Sequence, residues 1–307
     1  MGVLCRDTTK VRFFELIAAQ CANHPVEVMT RNLPVSKAGY YTWKKRCTAT
    51  ISTEVAQVRL DRQAKVLAIH RESKGTYGSP RVTAELRARG ELITEKTVAL
   101  MMASIGIAGI SPRTFKTRTT IVDPNASFPP DLVDRVFNQG RPDTVWTSDI
   151  TYLTCGEGDL YFCAVKDEHT KRILGFKVAD HMRADLVADC LIAAAAVRDQ
   201  KVTGTIFHSD RGSQYTSTLV ADTATQLGLS RSMGDTGICW DNAGAESLWS
   251  TFKHEYYYRH TFITKAELTA AVTDWVRFYN HQRRHSAIGY LSPINYEIVC
   301  TQANQAA

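Results

Sequence analysis

Apolar residues recur at helical spacing through the first third of the chain and then give way to short alternating runs. Over residues 8–22, Val11, Phe14, Ile17, Ala18 and Cys21 share one face and predict a helix. A short helix follows from about residue 25, then a turn at Leu33-Pro34 and a second helix capped by Ser36. Residues 53–108 form another helical block. In "YGSPRVTAELRARG", Ser79 is the expected N-cap, Pro80 the first helical position, and Gly90 lies past the end. Thr94 then caps "EKTVALMMASIG", whose packing face is Val98, Met101, Met102 and Ile105. Each block sets two short helices around a tight turn, the outline of a helix-turn-helix.

The pattern changes at residues 110–143, where "SPRTFKTRTT" is basic and extended and "DPNASFPPD" is broken by prolines, as in a linker. From 144, "TVWTSDITYLT", "LYFCAVKD" and "RILGFKVAD" read as a three-stranded antiparallel meander. A helix ("ADLVADCLIAAAAVRD"), a fourth strand ("TGTIFHSD"), a helix ("TSTLVADTATQLG"), a short fifth strand ("LSRSM") and a helix near 241 follow. The order β-β-β-α-β-α-β-α predicts an α/β fold: a ribonuclease-H-like mixed five-stranded sheet with flanking helices, preceded by all-α helix-turn-helix-like segments. The expected divisions are 1–50, 53–109, the linker 110–143, a core over 144–260, and a helical basic extension over 261–307.

Composition changes the picture only in its charge. The 307 residues are 44% hydrophobic and 22% charged, ordinary for a globular chain. The longest apolar run falls short of a membrane span, and the N-terminus carries charges where a signal peptide needs an apolar core. The eight cysteines form neither CxxC pairs nor zinc-finger spacings with histidine. A cytoplasmic, nucleoid-associated protein is expected. Residues 1–120 hold 20 Lys and Arg against 9 Asp and Glu, whereas residues 121–307 hold 17 against 22. A basic third joined to an acidic remainder points to a part that binds a polyanion. Its candidate DNA contacts are Lys37, Tyr41, Trp43, Lys44, Lys45 and Arg46, with Arg81 in the second block. The plainer reading is a small helical bundle with a solvated basic end.

"DNAGAESLWSTFKHEYYY", residues 241–258, carries the candidate chemistry. Ala245, Trp249, Phe252 and Tyr256 make an apolar stripe, and Glu246, Ser250, Lys253 and Tyr257 a second stripe about a quarter-turn away. Asp149 lies in the first strand and Asp210 just past the fourth, 61 positions on; Glu246 follows 36 later. In the expected topology the first and fourth strands are central neighbours and the last helix crosses them, so the three carboxylates can converge. Converging carboxylates repel unless cations sit between them. Hard oxygen donors suit Mg²⁺, or Mn²⁺, and two such ions about 3.5–4 Å apart serve phosphoryl transfer. Spacing alone is weak support, since 31 acidic residues offer many triples. Among the neighbours, His208 reads as a strand-end structural residue or a metal-site contact. Asp241 and Asn242 read as cap and turn. Arg211 reads as a DNA or solvent contact. "NHQRRHS", with Arg283 and Arg284, reads as a DNA-backbone contact or a solvated helix end.

The local strings go further. "VSKAGYYTWKKR", "YGSPRVTAELRARG", "VWTSDITYL", "FHSDRGSQYTS", "DNAGAESLWSTFKHE" and "FYNHQRRHSAIGYLSPINYE" span most of residues 26–297. They resemble the second-frame (orfB) transposases of the bacterial IS-three insertion-sequence family, which are retroviral-integrase-like DDE recombinases. The resemblance implies that Asp149, Asp210 and Glu246 are the metal ligands and catalytic residues, with Lys253 gripping a DNA phosphate. It implies Mg²⁺-dependent cleavage at terminal inverted repeats of double-stranded DNA, then attack of the freed 3′-OH on target DNA. It also implies a homo-oligomer on DNA, and an upstream-frame product acting as fusion or partner. Two features depart from the wider group: the His-His-Cys-Cys zinc module of retroviral integrases is missing, and His169 stands where an apolar residue is expected. Two other readings stay open, a DNA-binding regulator with an unused core and a ribonuclease-H-like nuclease that cuts without joining.

Overall fold

The computed structural model describes residues 8–48, 53–110, 128–234 and 243–306. The chain divides into two compact units, Met1–Gly109 and Ile110–Ala307.

The first unit is helical. Helices α1 (Thr8–Gln20) and α2 (Val26–Asn32) pack on α3 (Lys37–Thr48). The Ser36 hydroxyl accepts from the Gly39 amide at 3.0 Å, as a capping residue does. Helices α4 (Thr53–Glu72), α5 (Ser79–Ala88) and α6 (Glu95–Ser104) pack on one another. Their core is Val66, Ile69, Val82, Leu86, Val98, Met101 and Met102. Thr94 caps α6 by accepting from the Thr97 amide. The start of α5 departs from expectation by one residue: Gly78 is the N-cap and Ser79 the first helical residue. The Ser79 hydroxyl turns instead towards the Glu95 carboxylate, 3.5 Å away.

The second unit is built on a sheet of β1 (Val145–Cys155), β2 (Gly158–Asp167), β3 (Ile173–Ala179), β4 (Ile206–Ser209) and β5 (Ser230–Met233). The order across it is β3-β2-β1-β4-β5. The meander β1-β2-β3 is antiparallel, while β1-β4 and β4-β5 are parallel. This is the expected mixed sheet, with β1 and β4 adjacent at its middle.

Each face of the sheet buries a separate core. On one side α7 (Ala184–Val197), the single turn α8 (Ser213–Thr216) and α9 (Thr218–Gln226) cover Trp146, Cys163, Val165 and Phe207. Close packing here needs Gly175 on β3, where a Cβ would stand 2.3 Å from the Cys190 carbonyl oxygen of α7. On the other side α10 (Ala243–Glu255) and α11 (Lys265–His281) cover Leu153, Leu160, Phe162 and Ile173. Phe252 meets Phe162 and Trp275 edge-on, at ring separations of 5.4 and 4.8 Å, favourable aromatic geometry. The helix expected over 241–258 spans Ala243–Glu255 and ends in a 3-10 turn at Tyr257–Arg259. Residues 241 and 242 lie outside the described residues, and with them the cap reading of Asp241 and Asn242.

A last helix, α12 (Pro293–Ala306), falls within the helical extension expected over 261–307. Ser292 precedes Pro293 at the first helical position, and its hydroxyl faces the Asn295 amide at 3.4 Å. Two connections tie the outer strands. Asn280 accepts from the Ile173 amide at 2.9 Å and donates to the Ile173 carbonyl at 2.8 Å. Beside β5, Pro130 accepts from Met233, and the Ser232 hydroxyl accepts from the Leu132 amide. Replacing Asn280 with Ala should leave the buried Ile173 groups unpartnered and cost about 1–3 kcal/mol, read as a lower urea midpoint; an unchanged midpoint would refute that role.

Candidate active site

The register between β1 and β4 places the first two carboxylates. The last pair the strands share is Thr147 with His208. Asp149 and Asp210 each lie two residues beyond it. Parallel neighbours run about 4.8 Å apart, so both acids leave the middle of the sheet side by side. Asp149 is half-buried. Its carboxylate accepts from the Ile150 amide at 2.8 Å and from the Trp249 indole N–H at 3.0 Å. Asp210, also half-buried, accepts from the Gly212 amide at 3.0 Å.

Burial pushes the Asp149 carboxyl up to about 7, with the Asp210 charge adding to the effect and Glu246 contributing the smallest share. The two hydrogen bonds only partly oppose this. Asp210 is likewise raised by burial. Such a crowded pair of acids at the mouth of a sheet is a strong electrostatic feature.

Glu246 arrives on α10. Trp249 fastens that helix to Asp149, and Glu246 is its i−3 neighbour, with Lys253 at i+4. Both therefore border the same carboxylate. Lys253 is half-buried, with its ammonium over the Tyr152 ring at 4.9 Å. Burial lowers its pKa, and the Asp149 charge pushes back. Among the described residues no three His, Cys, Asp or Glu side chains stand close enough to hold an ion as they are. The expected three-way meeting is therefore incomplete: Asp149 and Asp210 adjoin, and Glu246 is exposed in the first turn of α10.

The other candidates separate into surface and structure. His208 is buried and bonded to the Ser232 hydroxyl at 2.9 Å, the structural option. Arg211 stacks over the Phe128 ring at 4.7 Å. Arg283 corrects an expectation. It is buried in a two-pronged ion pair with Glu255, both contacts 2.7 Å, which takes it away from any phosphate. The basic cluster misled because its acidic partner lies 28 residues upstream. Arg284 donates to the Tyr290 carbonyl at 2.8 Å. His169 faces Asn138 and the Tyr296 ring.

In the first unit, Lys37 pairs with Glu27 at 2.9 Å on the surface, and Lys44 lies 6.0 Å from the centre of the Tyr40 ring. Trp43 is partly buried against Phe14 and Tyr40. Tyr41 and Lys45 are exposed. Arg81 sits over the Tyr77 ring at 5.6 Å. The Arg46 side chain lies outside the described residues.

Sequence reasoning missed two features of this site. Trp249 showed only as part of an apolar stripe, although its indole carries the one N–H donor an apolar-looking ring can offer. Lys166, in the expected strand "LYFCAVKD", and Glu168 just past it carry no signal of their burial in the local sequence.

The family model of the integrase core domain matches residues 139–239, a second integrase core domain model matches 227–293, and an HTH-like domain matches 58–115. Transposase InsF for insertion sequence IS3A of Escherichia coli K12 is 36% identical over 285 residues, covering 90% of this chain and 95% of the relative. The chain belongs to the IS3-family transposases. A 31 kDa protein of insertion element IS600 from Shigella sonnei is 33% identical over 261 residues, 84% of this chain and 93% of that one. The catalytic core of BIV integrase matches 53% of this chain and 99% of its own, with 16% identity and a TM-score of 0.40, too loose to add to the assignment. For this transposase the integrase core match spans the strands that carry Asp149 and Asp210.

Two measurements follow. Asp149 is an acid whose folded-state pKa, about 7, exceeds its ordinary 3.8. Its contribution to stability is thus full below pH 4 and lost as pH rises through 7. Urea unfolding of the metal-free protein should show stability falling over that window, and a flatter profile in Asp149→Asn; parallel profiles would contradict the assignment. Arg283→Ala should strand the buried Glu255 charge and cost about 3–5 kcal/mol. A DNA-contact role would instead leave the unfolding midpoint in place.

Proposed function

We propose that this transposase uses Asp149, Asp210 and Glu246 to hold divalent cations for DNA cleavage and joining. The observation that carries the reading is the pair Asp149–Asp210, each two residues past the last shared pair of the parallel strands β1 and β4, tied through Trp249 to the helix bearing Glu246. The donor set is oxygen only, and burial beside a second carboxylate lifts Asp149 to about 7. Mg²⁺ relieves such crowding, two ions suit three acids, and Mn²⁺ can replace it. Bound there, the cations would activate the attacking oxygen and stabilise the leaving oxygen of a phosphodiester.

The chain's own groups do the rest. The Ile150 and Trp249 N–H groups fix the orientation of Asp149, and the Gly212 amide fixes Asp210. Lys253, beside Asp149, offers a cation to a DNA phosphate. Water opens the strand at the element's terminal inverted repeat, and the freed 3′-OH then displaces a 3′-oxygen in target DNA. The exposed Lys45 and Tyr41, with Lys37, Lys44 and Arg81, belong to the surfaces that meet DNA in the helical unit. Two ends must be joined together, which favours a homo-oligomer on DNA, with the upstream-frame product as fusion or partner. No helix among the described residues is long and apolar enough to cross a membrane.

Labelled terminal-repeat ends with Mg²⁺ test this reading. Joined products support it; cutting without joining favours a nuclease, and binding alone a regulator. Glu246→Gln should abolish chemistry and spare DNA binding; loss of both would count against the assigned role.

A further inference from the structure

Glu246 is exposed, and the backbone turn that carries it rests on buried groups. The first turn of α10 meets a buried ionic cluster at the end of β2. Lys166 pairs across the sheet with Thr147, two residues from Asp149 on the same face of β1. Its ammonium, in a residue 4% exposed, donates to the Gly244 carbonyl at 2.6 Å and meets Glu168 Oε1 at 3.0 Å. Glu168 is 1% exposed. It accepts from the Thr147 hydroxyl at 2.6 Å and from Lys171 at 2.9 Å, and its amide donates to the Val145 carbonyl at 3.0 Å. Burial alone would raise its carboxyl, but Lys166, Lys171 and Thr147 together outweigh it and hold the group at about 2.

The helix seats directly on this carboxylate. A Cβ on Gly244 would lie 2.1 Å from Glu168 Oε1 and 2.8 Å from Cδ, inside any real contact. Glycine at 244 is what lets α10 come so close, two residues before Glu246. Two buried charges add little to stability over apolar residues of the same shape. Their geometric effect is the larger one: they fix the start of α10 against the β1–β2 pair that carries Asp149.

We propose that Lys166 and Glu168, seated on Gly244, are positioning residues that set where Glu246 stands relative to Asp149 and Asp210. They touch no reacting atom and act only through the first turn of α10. The inference rests on the proposed role of Glu246, and its test separates the two.

The full chain is compared with Gly244→Ala and Lys166→Met by amide hydrogen exchange and by the Mg²⁺ dependence of strand transfer. Gly244→Ala retains both charged residues, and so keeps the test open if Lys166→Met does not fold. Exchange should quicken about 10-fold over residues 244–248 while β1 and β2 hold their protection, the mark of a local release. The Mg²⁺ concentration for half-maximal transfer should rise about 10-fold, with DNA binding unchanged. Wild-type exchange in α10, or an unaltered Mg²⁺ requirement, would overturn the inference. Uniform loss of protection across the sheet would do the same, since it marks a plain core role. If the parent chain transfers no strands at all, the recombinase reading fails by itself and the exchange result alone decides the positioning.

Discussion

The structure turns on like charges held together where they would rather separate. Asp149 and Asp210 stand side by side because two parallel strands share a register and both run two residues past its end. Neither can swing far: each carboxylate is bonded to a backbone amide of its own loop or strand. The repulsion is stored by the sheet, whose pairing and buried faces are worth far more than one unfavourable pair of acids. Burial first, and the neighbouring Asp210 charge second, push the Asp149 carboxyl up to about 7.

The two cores divide the labour of keeping it there. On the α7 side, the small Cys190, Ala194 and Ala195 let the helix lie almost on the backbone of β3 at Gly175. The α10–α11 side is aromatic, with Phe162, Trp249, Phe252 and Trp275 in edge-on contact. That side carries Trp249, which belongs to the core by its ring and to the site by its N–H. Apolar packing and the orientation of an acid are thus joined in one side chain.

Much of this was legible in the sequence, for identifiable reasons. The alternation in "TVWTSDITYLT" and the order of elements led to β1 and β4 as central neighbours, hence to Asp149 and Asp210 together. Thr94 and Ser36 announced their helices by cap chemistry, while the start of α5 slipped by one because Gly78, a poorer signal, precedes Ser79. What stayed hidden depended on partners distant in sequence. Arg283 looked like a DNA contact because nothing near it announces Glu255. Lys166 and Glu168 looked like a strand end because their burial arises only where β1, β2 and α10 meet. The exposure of Glu246 was equally out of reach, since periodicity gives a face and not a depth.

Asn280 has a consequence for assembly. By giving Ile173 both an acceptor and a donor, it stands in for the neighbouring strand that β3 lacks. Pro130 and Leu132 blunt the opposite margin by occupying groups of β5. Hydrogen-bonding edges are where sheets of separate molecules fuse. With both margins plugged at these points, the two outer strands offer a neighbouring sheet fewer open backbone groups to pair with.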